Sequence, residues 1–200
     1  MEKQIIELFL YNHKLKFSEI EKQTKLRSNK ISYHLKNLLS KNILSKKDEY
    51  YSLSEEAEKI IPYLSDKNSV ISVILIAIKK GDKIFLIKRI KRPFDKKLCL
   101  PGGRLIVGES ISKATKRLMK EKFNINAKLE KINSISLEHV KTKNKSLHSF
   151  LLILVTASTK ESLNYSTIKN KKSQIISSDY KLIKEHLDKE TKIETFTTPS

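Results

Sequence analysis

The sequence predicts an α+β fold built from two domains. The first 65 residues follow the order helix, helix, helix, two short strands and helix, whereas residues 70–188 combine apolar, β-branched strands with one central amphipathic helix. A polar stretch, S-D-K-N-S, lies between the two patterns at 65–69. We therefore expect domains at 1–65 and 70–188, a linker at 66–69 and a C-terminal tail at 189–200, where residues 193–197 could add an edge strand.

Start signals and apolar spacing support each N-terminal element. Ser18-Glu19-Ile20-Glu21 has the capping-box pattern that opens a short helix, and Ser28 opens a longer one with a continuous apolar stripe. Two short strands follow at 43–46 and 50–53, and Ser54 caps a closing helix that extends to about Leu64. This is the element order of a winged helix-turn-helix.

The segment SNKISYHLKNLLSKNIL, residues 28–44, is similar to the recognition helix and wing entry of arsenic-repressor-type and related archaeal winged-helix proteins. In such modules the second helix of the helix-turn-helix enters the major groove of DNA. The resemblance therefore implies double-stranded DNA as a partner, and a homodimer that reads two half-sites.

The residues expected to meet DNA lie on the exposed face of that helix and in the turn before it. Residues 22–47 contain eight cations and no acidic residue, a local asymmetry that favours DNA. The open alternative is a winged helix used for protein contacts or dimerisation. The candidate DNA-binding residues are Lys25, Arg27, Ser28, Asn29, Lys30, Ser32, Tyr33, Lys36 and Asn37.

The second domain begins with strands and continues into a capped helix. Residues 70–78 and 83–89 read as two strands joined in a hairpin by a turn at Gly81-Asp82, and residues 149–157 as a third strand. Residues 110–123 have helical apolar spacing with Ser110 as the N-cap. A second helix is expected at 178–187, with the segment S-S-D, residues 177–179, at its start.

Residues 102–125, GGRLIVGESISKATKRLMKEKFNI, resemble the Nudix box, G-x5-E-x7-R-E-U-x-E-E-x-G-U, in which U is apolar. The positions that match are Gly103, Glu109, Arg117, Met119, Glu121 and Ile125, and those that depart are Leu118, Lys122 and Asn124. The resemblance covers about 69–187 and implies an α/β/α sandwich with a mixed sheet. In the family, the three glutamates of the R-E-U-x-E-E stretch gather divalent cations around a pyrophosphate.

The departures bear directly on metal binding. Positions 118, 121 and 122 share one helical face, and three carboxylates there would suit Mg²⁺. This chain offers only Glu121, a weak metal ligand beside an apolar group and an ammonium. We therefore expect no resident cofactor. If hydrolysis is retained, Glu109, Arg117 and Glu121 would be the catalytic set, and Glu109, Glu121 and Glu138 would have to hold Mg²⁺.

Fixed cations near the box are the candidate binding groups for a nucleotide or nucleotide-sugar. Lys122 could occupy the space of a metal and meet a phosphate directly, and arginines offer a two-pronged fork to a diphosphate. Arg117 is expected to reach Glu109 or Glu121 instead. The candidate ligand-binding residues are Arg89, Arg92, Gly102, Gly103, Arg104 and Lys122.

Composition further limits the class of protein that this sequence can belong to. The 200 residues carry a formal charge of +19, which suggests a polyanionic partner. Residues 1–68 contain 13 basic and 10 acidic side chains and the remainder 28 and 12, so most of the excess lies in the second domain. Cys99 is the single cysteine, which excludes a disulfide framework, and no apolar run is long enough for a membrane span. A cytoplasmic protein is expected.

Three functions fit these observations. The favoured one is a DNA-binding transcriptional regulator whose Nudix-like domain, impaired as an enzyme, senses a diphosphate-containing ligand. The second is an active Nudix hydrolase that cleaves a nucleoside diphosphate derivative. The third is a non-enzymatic scaffold that binds DNA or protein.

Overall fold

A computed structural model describes residues 1–59, 69–142 and 145–198. The chain divides into two compact units, Met1–Ser69 and Val70–Ser200. The predicted linker at 66–69 and the predicted end of the closing helix near Leu64 fall largely on residues 60–68, outside the described residues.

The first unit contains four helices and three short strands in its described part. In chain order these are α1 Glu2–Leu8, β1 Leu15–Lys16, α2 Phe17–Thr24, α3 Ser28–Ser40, β2 Leu44–Lys47, β3 Tyr50–Leu53 and α4 Glu55–Glu58. The strands form an antiparallel sheet in the order β1-β3-β2. Apolar residues of the helices, including Ile5, Ile20, Ile31 and Leu38, are fully buried in one core with the sheet.

The start of α2 differs from its prediction. Ser18 does not cap the helix, which begins one residue earlier at Phe17. Glu19 closes the first turn, because its carboxylate accepts a hydrogen bond of 2.6 Å from the backbone N–H of Lys16. The prediction at Ser54 is confirmed, since its hydroxyl accepts from the Ala57 N–H at 3.1 Å and α4 follows directly.

The second unit contains two helices and nine strands in its described residues. They are β4 Ile71–Ala77, β5 Lys79–Lys80, β6 Lys83–Phe85, β7 Ile87–Lys88, β8 Leu98–Cys99, β9 Gly102–Arg104, α5 Ile111–Phe123, β10 Lys128–Thr142, β11 Lys145–Ser158, β12 Tyr165–Thr167 and α6 Ser177–Glu185.

A mixed four-stranded sheet in the order β10-β11-β4-β9 forms the centre of this unit. Strands β4 and β11 are parallel, and the other two pairs are antiparallel. Because side chains alternate along a strand, Ile74 and Ile76 of β4 pack with α5, while Leu75 and Ala77 pack with α6. The sheet therefore lies between two helical layers.

The predicted hairpin between 70–78 and 83–89 is confirmed only around its turn at Gly81-Asp82. Strand β4 is buried along most of its length and pairs with β11 and β9 inside the sheet, where an apolar run is most stable. Beyond β4 the exposed β5, Lys79–Lys80, turns back at Gly81 and pairs with β6, and the Phe85 N–H donates to the Ile78 carbonyl at 2.9 Å. The second predicted strand is also interrupted, at Leu86, between β6 and β7.

Two edge features differ from the sequence expectations. Strand β10, at the sheet edge, was not expected, because its polar and apolar residues mix without a strong apolar run. The suggested edge strand at 193–197 is absent from the described structure. The tail instead meets the sheet at Thr191, whose N–H donates to the Ile132 carbonyl at 2.9 Å.

Candidate functional site

The site is built where β9 passes beneath α5. Ser110 caps α5, accepting from the Lys113 N–H at 3.3 Å as predicted. Glycine is required on β9, because a Cβ on Gly102 would lie 2.2 Å from the Ile74 carbonyl oxygen. A Cβ on Gly103 would lie 2.5 Å from a methyl carbon of Leu118 and 2.9 Å from Lys122 Nζ. The two glycines thus let α5 approach the strand closely.

Of the three helix positions that would carry metal-binding carboxylates, two hold other groups in this chain. Leu118 is 3% exposed and belongs to the core between α5 and the sheet. Lys122 reaches over the strand, and its ammonium donates a hydrogen bond to the Gly102 carbonyl oxygen. Glu121 is exposed and lies 3.4 Å from Arg117 Nη1. A lysine ammonium therefore sits against the backbone carbonyl at the entry of the box.

Arg117 binds the two remaining carboxylates of the box, as the sequence suggested. Its Nε and Nη2 donate to the two carboxylate oxygens of Glu109 at 2.8 and 2.6 Å, and Nη2 also donates to the Arg104 carbonyl at 3.1 Å. These bonds hold the pKa of Glu109 below its usual range, against the opposing effect of burial. The Ile106 N–H donates to Glu109 as well, at 2.9 Å. Glu109 is thus fully engaged in fastening the loop before α5.

The donor set does not fit a divalent metal. Within residues 1–59, 69–142 and 145–198, no three His, Cys, Asp or Glu side chains are grouped so that they could hold a metal ion. Glu109, Glu121 and Glu138, the set that would serve an active enzyme, form no such group. Arg117 binds both carboxylate oxygens of Glu109, and Lys122 lies next to Glu121. The positive charges of Arg117 and Lys122 would therefore repel a divalent cation placed between these carboxylates.

Fixed positive charge surrounds Lys122. Burial lowers the pKa of its ammonium, and the nearby cations Lys91, Arg117 and Arg89 lower it further. The predicted ligand residue Arg89 is partly committed, since its Nε donates to the Lys91 and Pro93 carbonyls at 2.9 and 2.6 Å. Sequence reasoning missed Lys91. The other predicted ligand residues, Arg92 and Arg104, are exposed.

Sequence reasoning also missed a buried carboxyl group, that of Asp179. Asp179 is 4% exposed in the first turn of α6, and its carboxylate accepts from the Leu100 N–H at 2.7 Å. Burial raises its pKa to about 7, with Glu138 adding to the rise and Arg89 opposing it. Burial and Asp179 also raise the pKa of the Cys99 thiol to about 11. The S-S-D segment was the available signal, but it indicated only the start of a helix.

In the first unit, the candidate DNA-contacting residues are mostly exposed on or before α3. Tyr33 is 62% exposed, while Ser32 and Asn37 are half-buried and so less accessible than expected. The hydroxyl of Ser28 donates to the Glu21 carboxylate, which joins the start of α3 to the second half of α2. The fully exposed candidates are Lys25, Arg27, Ser28, Asn29, Lys30, Tyr33 and Lys36.

Comparison with known proteins identifies the second unit. Residues 68–174 match the family described as NUDIX domain, and the chain belongs to this family. Among curated proteins, none matches the chain significantly.

Several solved structures are similar to parts of the chain. A MutT NUDIX hydrolase from Burkholderia pseudomallei is 17% identical with a TM-score of 0.48, covering 59% of this chain and 98% of that one. A NUDIX hydrolase from Nitrosomonas europaea is 19% identical with a TM-score of 0.43, covering 56% and 80%. A bifunctional NMN adenylyltransferase/ADP ribose pyrophosphatase from Francisella tularensis is 14% identical with a TM-score of 0.44, covering 78% and 51%.

Of the helices that the structure describes, none is both long enough and apolar enough to cross a membrane.

Proposed function

We propose that the Nudix-family unit binds a diphosphate-containing nucleotide through fixed side-chain cations, without the divalent metal centre of the box. One observation carries this proposal: the Lys122 ammonium donates to the Gly102 carbonyl at the place where α5 crosses β9. A cation held there by the chain leaves no need for a metal ion, and it can still meet a phosphate oxygen.

The electrostatics of the site support an anionic ligand. The positive charges of Arg89, Lys91 and Arg117 all act on Lys122. The charge of Arg117 is offset, because this residue is paired with the Glu109 carboxylate. A diphosphate placed between Lys122 and Lys91 would relieve this repulsion between like charges. It would also give the ammonium of Lys122 a charge-assisted partner.

Binding of inorganic pyrophosphate in EDTA tests the proposal. We expect the Tm of the full-length protein to rise with pyrophosphate concentration, because a ligand that binds the folded state stabilises it by mass action. Lys122→Met should weaken pyrophosphate binding by about tenfold or more, as expected for loss of a charge-assisted hydrogen bond. Lys120→Met, an exposed position on the same helix, is the matched control. Binding that requires Mg²⁺, or that is equal in both variants, would contradict the proposal.

An active hydrolase is the second candidate. Family membership favours it, and that match supports hydrolase-like function more directly than a regulator, since it leaves the first 67 residues uncovered. Turnover of ADP-ribose, dinucleoside polyphosphates and nucleoside triphosphates should be measured with and without Mg²⁺. Robust turnover abolished by EDTA would establish the hydrolase and overturn the metal-free site.

For the first unit, we infer a winged helix-turn-helix that binds double-stranded DNA as a homodimer. The order of its elements and the exposed face of α3, with Asn29, Lys30, Tyr33 and Lys36, support this assignment. With the ligand site, it makes the whole chain a candidate ligand-responsive transcriptional regulator. A scaffold without a small ligand is the outcome if pyrophosphate and nucleotides all fail to bind.

Selection from random duplexes tests the DNA assignment. We expect a partly palindromic motif with half-sites about one helical turn apart, roughly 10 bp. Lys30→Ala and Lys36→Ala should weaken binding to all sequences and reduce its salt dependence, whereas Asn29→Ala should relax sequence preference. If no motif is enriched and these variants bind as the wild type does, the assignment fails.

A further inference from the structure

The short hairpin of β7 and β8 has two chemically different faces. Ile87 pairs with Cys99, and the side chain of the following Arg89 acts on the Cys99 thiol, so these residues share the face of the candidate site. Lys88 pairs with Leu98, and side chains alternate along a strand, so this pair lies on the opposite face. Groups on the Lys88 face are therefore separate from those around Lys122.

Along the edge of β8 that faces away from β7, the hairpin borders residues 173–176. Leu98 fixes the border with two backbone hydrogen bonds of 2.9 Å, one to the Gln174 carbonyl and one from the Ile176 N–H. Lys97 adds a third contact, donating to the Ser173 carbonyl at 2.5 Å. The two segments therefore form one continuous, backbone-fastened surface.

Two depressions of about 500 Å³ each adjoin on this surface and share Ser173. The first is lined by Lys88, Lys96 and Lys97, with Asp95 as its only acidic group. The second is lined by residues that include Asn170, Lys172 and Tyr180. We call the two depressions together the lysine groove.

The charge around the lysine groove is concentrated. Four lysines and one acidic residue line the two depressions, and residues 169–172 read K-N-K-K. The two lysine-bearing segments lie side by side, because Lys97 and Leu98 hydrogen-bond with the chain at 173–176. A long cationic surface of this kind suits a partner with charges repeated along its length, such as a phosphodiester backbone.

The other groups of the lysine groove favour a single strand over a duplex or a membrane. Tyr180 is half-buried at one end, where its ring can receive a base, and Asn170 and Gln174 supply amide donors and acceptors. Binding sites for single strands combine a cationic track with such an aromatic platform. The residues that line the groove include no large exposed apolar side chain that could enter a bilayer.

We propose that the lysine groove binds single-stranded nucleic acid, with Lys88, Lys96 and Lys172 contacting phosphates and Tyr180 stacking on a base. This site is additional to the diphosphate site at α5 and to the DNA-binding face proposed for α3.

Fluorescence anisotropy of the full-length protein with a labelled single-stranded DNA of about 20 nucleotides, over a range of KCl concentrations, tests the proposal. Lys30→Gln and Lys36→Gln are present throughout, so that α3 contributes little. Adding Lys88→Gln, Lys96→Gln and Lys172→Gln should lower the affinity and reduce the slope of log K against log salt by about 2, since each single-strand phosphate contact contributes about 0.7.

The matched control removes three charges from the exposed face of α5, with Lys113→Gln, Lys116→Gln and Lys120→Gln. Its salt slope should stay close to that of the background protein. Tyr180→Leu should weaken binding about tenfold, while Tyr180→Phe, which keeps the ring, should not. Equal losses in groove and control variants would overturn the proposal. So would binding to vesicles of phosphatidylserine and phosphatidylcholine without binding to the oligonucleotide.

Discussion

At the scale of single residues, the clearest feature is the three-way contact of Arg117 with Glu109, Glu121 and the Arg104 carbonyl. The Glu109 side chain is only 9% exposed, so its ionised oxygens depend on this guanidinium. The Arg117–Glu109 pair therefore stabilises the folded chain, whatever the chemistry of the ligand.

We predict that Arg117→Met lowers the free energy of unfolding by about 1.5–3 kcal/mol, the range for a charged hydrogen bond whose partner is left buried. Lys116→Ala, exposed on the same helix, should change it by no more than about 0.5 kcal/mol. Urea unfolding at pH 7 measures both. Because the pKa of Glu109 is lowered in the folded state, the contribution is present above the unfolded pKa, about 4.3. It should be lost as the pH falls through the lower folded value.

A second residue prediction concerns the pH dependence of stability. Asp179 has a folded pKa of about 7, above the unfolded value of about 3.9, so the folded state holds the proton more tightly. Its ionisation therefore lowers stability as the pH rises from about 4 to 7, and the loss is complete above that. Asp179→Asn keeps an oxygen that can accept from the Leu100 N–H but cannot ionise.

The Tm of Asp179→Asn should therefore equal that of the wild type near pH 4 and exceed it at pH 8. Thermal melts across this range measure the difference. A constant difference at all pH values would show that Asp179 is not the titrating group. Asp188→Asn provides the control, because Asp188 also lies in the C-terminal part of the chain but is exposed.

At the scale of elements, the close approach of α5 to β9 depends on small groups. Gly103→Ala should cost about 1–3 kcal/mol, because the new methyl group overlaps Leu118. Leu118→Ala should cost about 2–5 kcal/mol by leaving a cavity. The double variant should cost less than the two together, since each change accommodates the other. Gly102→Ala meets backbone rather than side chain, so Leu118→Ala should not relieve it.

Most elements could be predicted because their apolar spacing is determined locally. The helices at 28–40 and 111–123 have clear stripes, and turn residues bracket the strands of the first unit. Strand pairing could not be predicted for β4, because the partner of a buried strand depends on distant segments. The burial of Asp179 could not be predicted for the same reason, since it depends on packing against distant residues around Leu100.

At the scale of the whole molecule, charge is unevenly divided between the units. Residues 1–68 are nearly balanced, with 13 basic and 10 acidic side chains, whereas the Nudix-family unit carries most of the excess. Within that unit, positive charge is concentrated at two separate places, the lysine groove and the cations near Lys122. Salt should therefore weaken single-strand binding and pyrophosphate binding independently.

The regulator proposal requires coupling between the two units. If pyrophosphate changes the affinity for a selected duplex, the duplex must change the affinity for pyrophosphate by the same factor. We expect a factor of about 5 or more, measured by duplex titration with and without saturating pyrophosphate and by the reverse experiment. A factor of one, with both ligands bound, would leave two independent binding functions and no regulator.

The parallel pairing of β4 with β11 has a consequence for how the chain folds as it is made. Ile71 pairs with Phe150, 79 positions later, so the centre of the second sheet cannot close until β11, which ends at Ser158, has left the ribosome. The first unit joins β1 to β3 within 53 residues and can close early. Contacts between distant positions slow folding. We therefore expect refolding of the full chain to show a fast phase for the first unit and a slower one for the second.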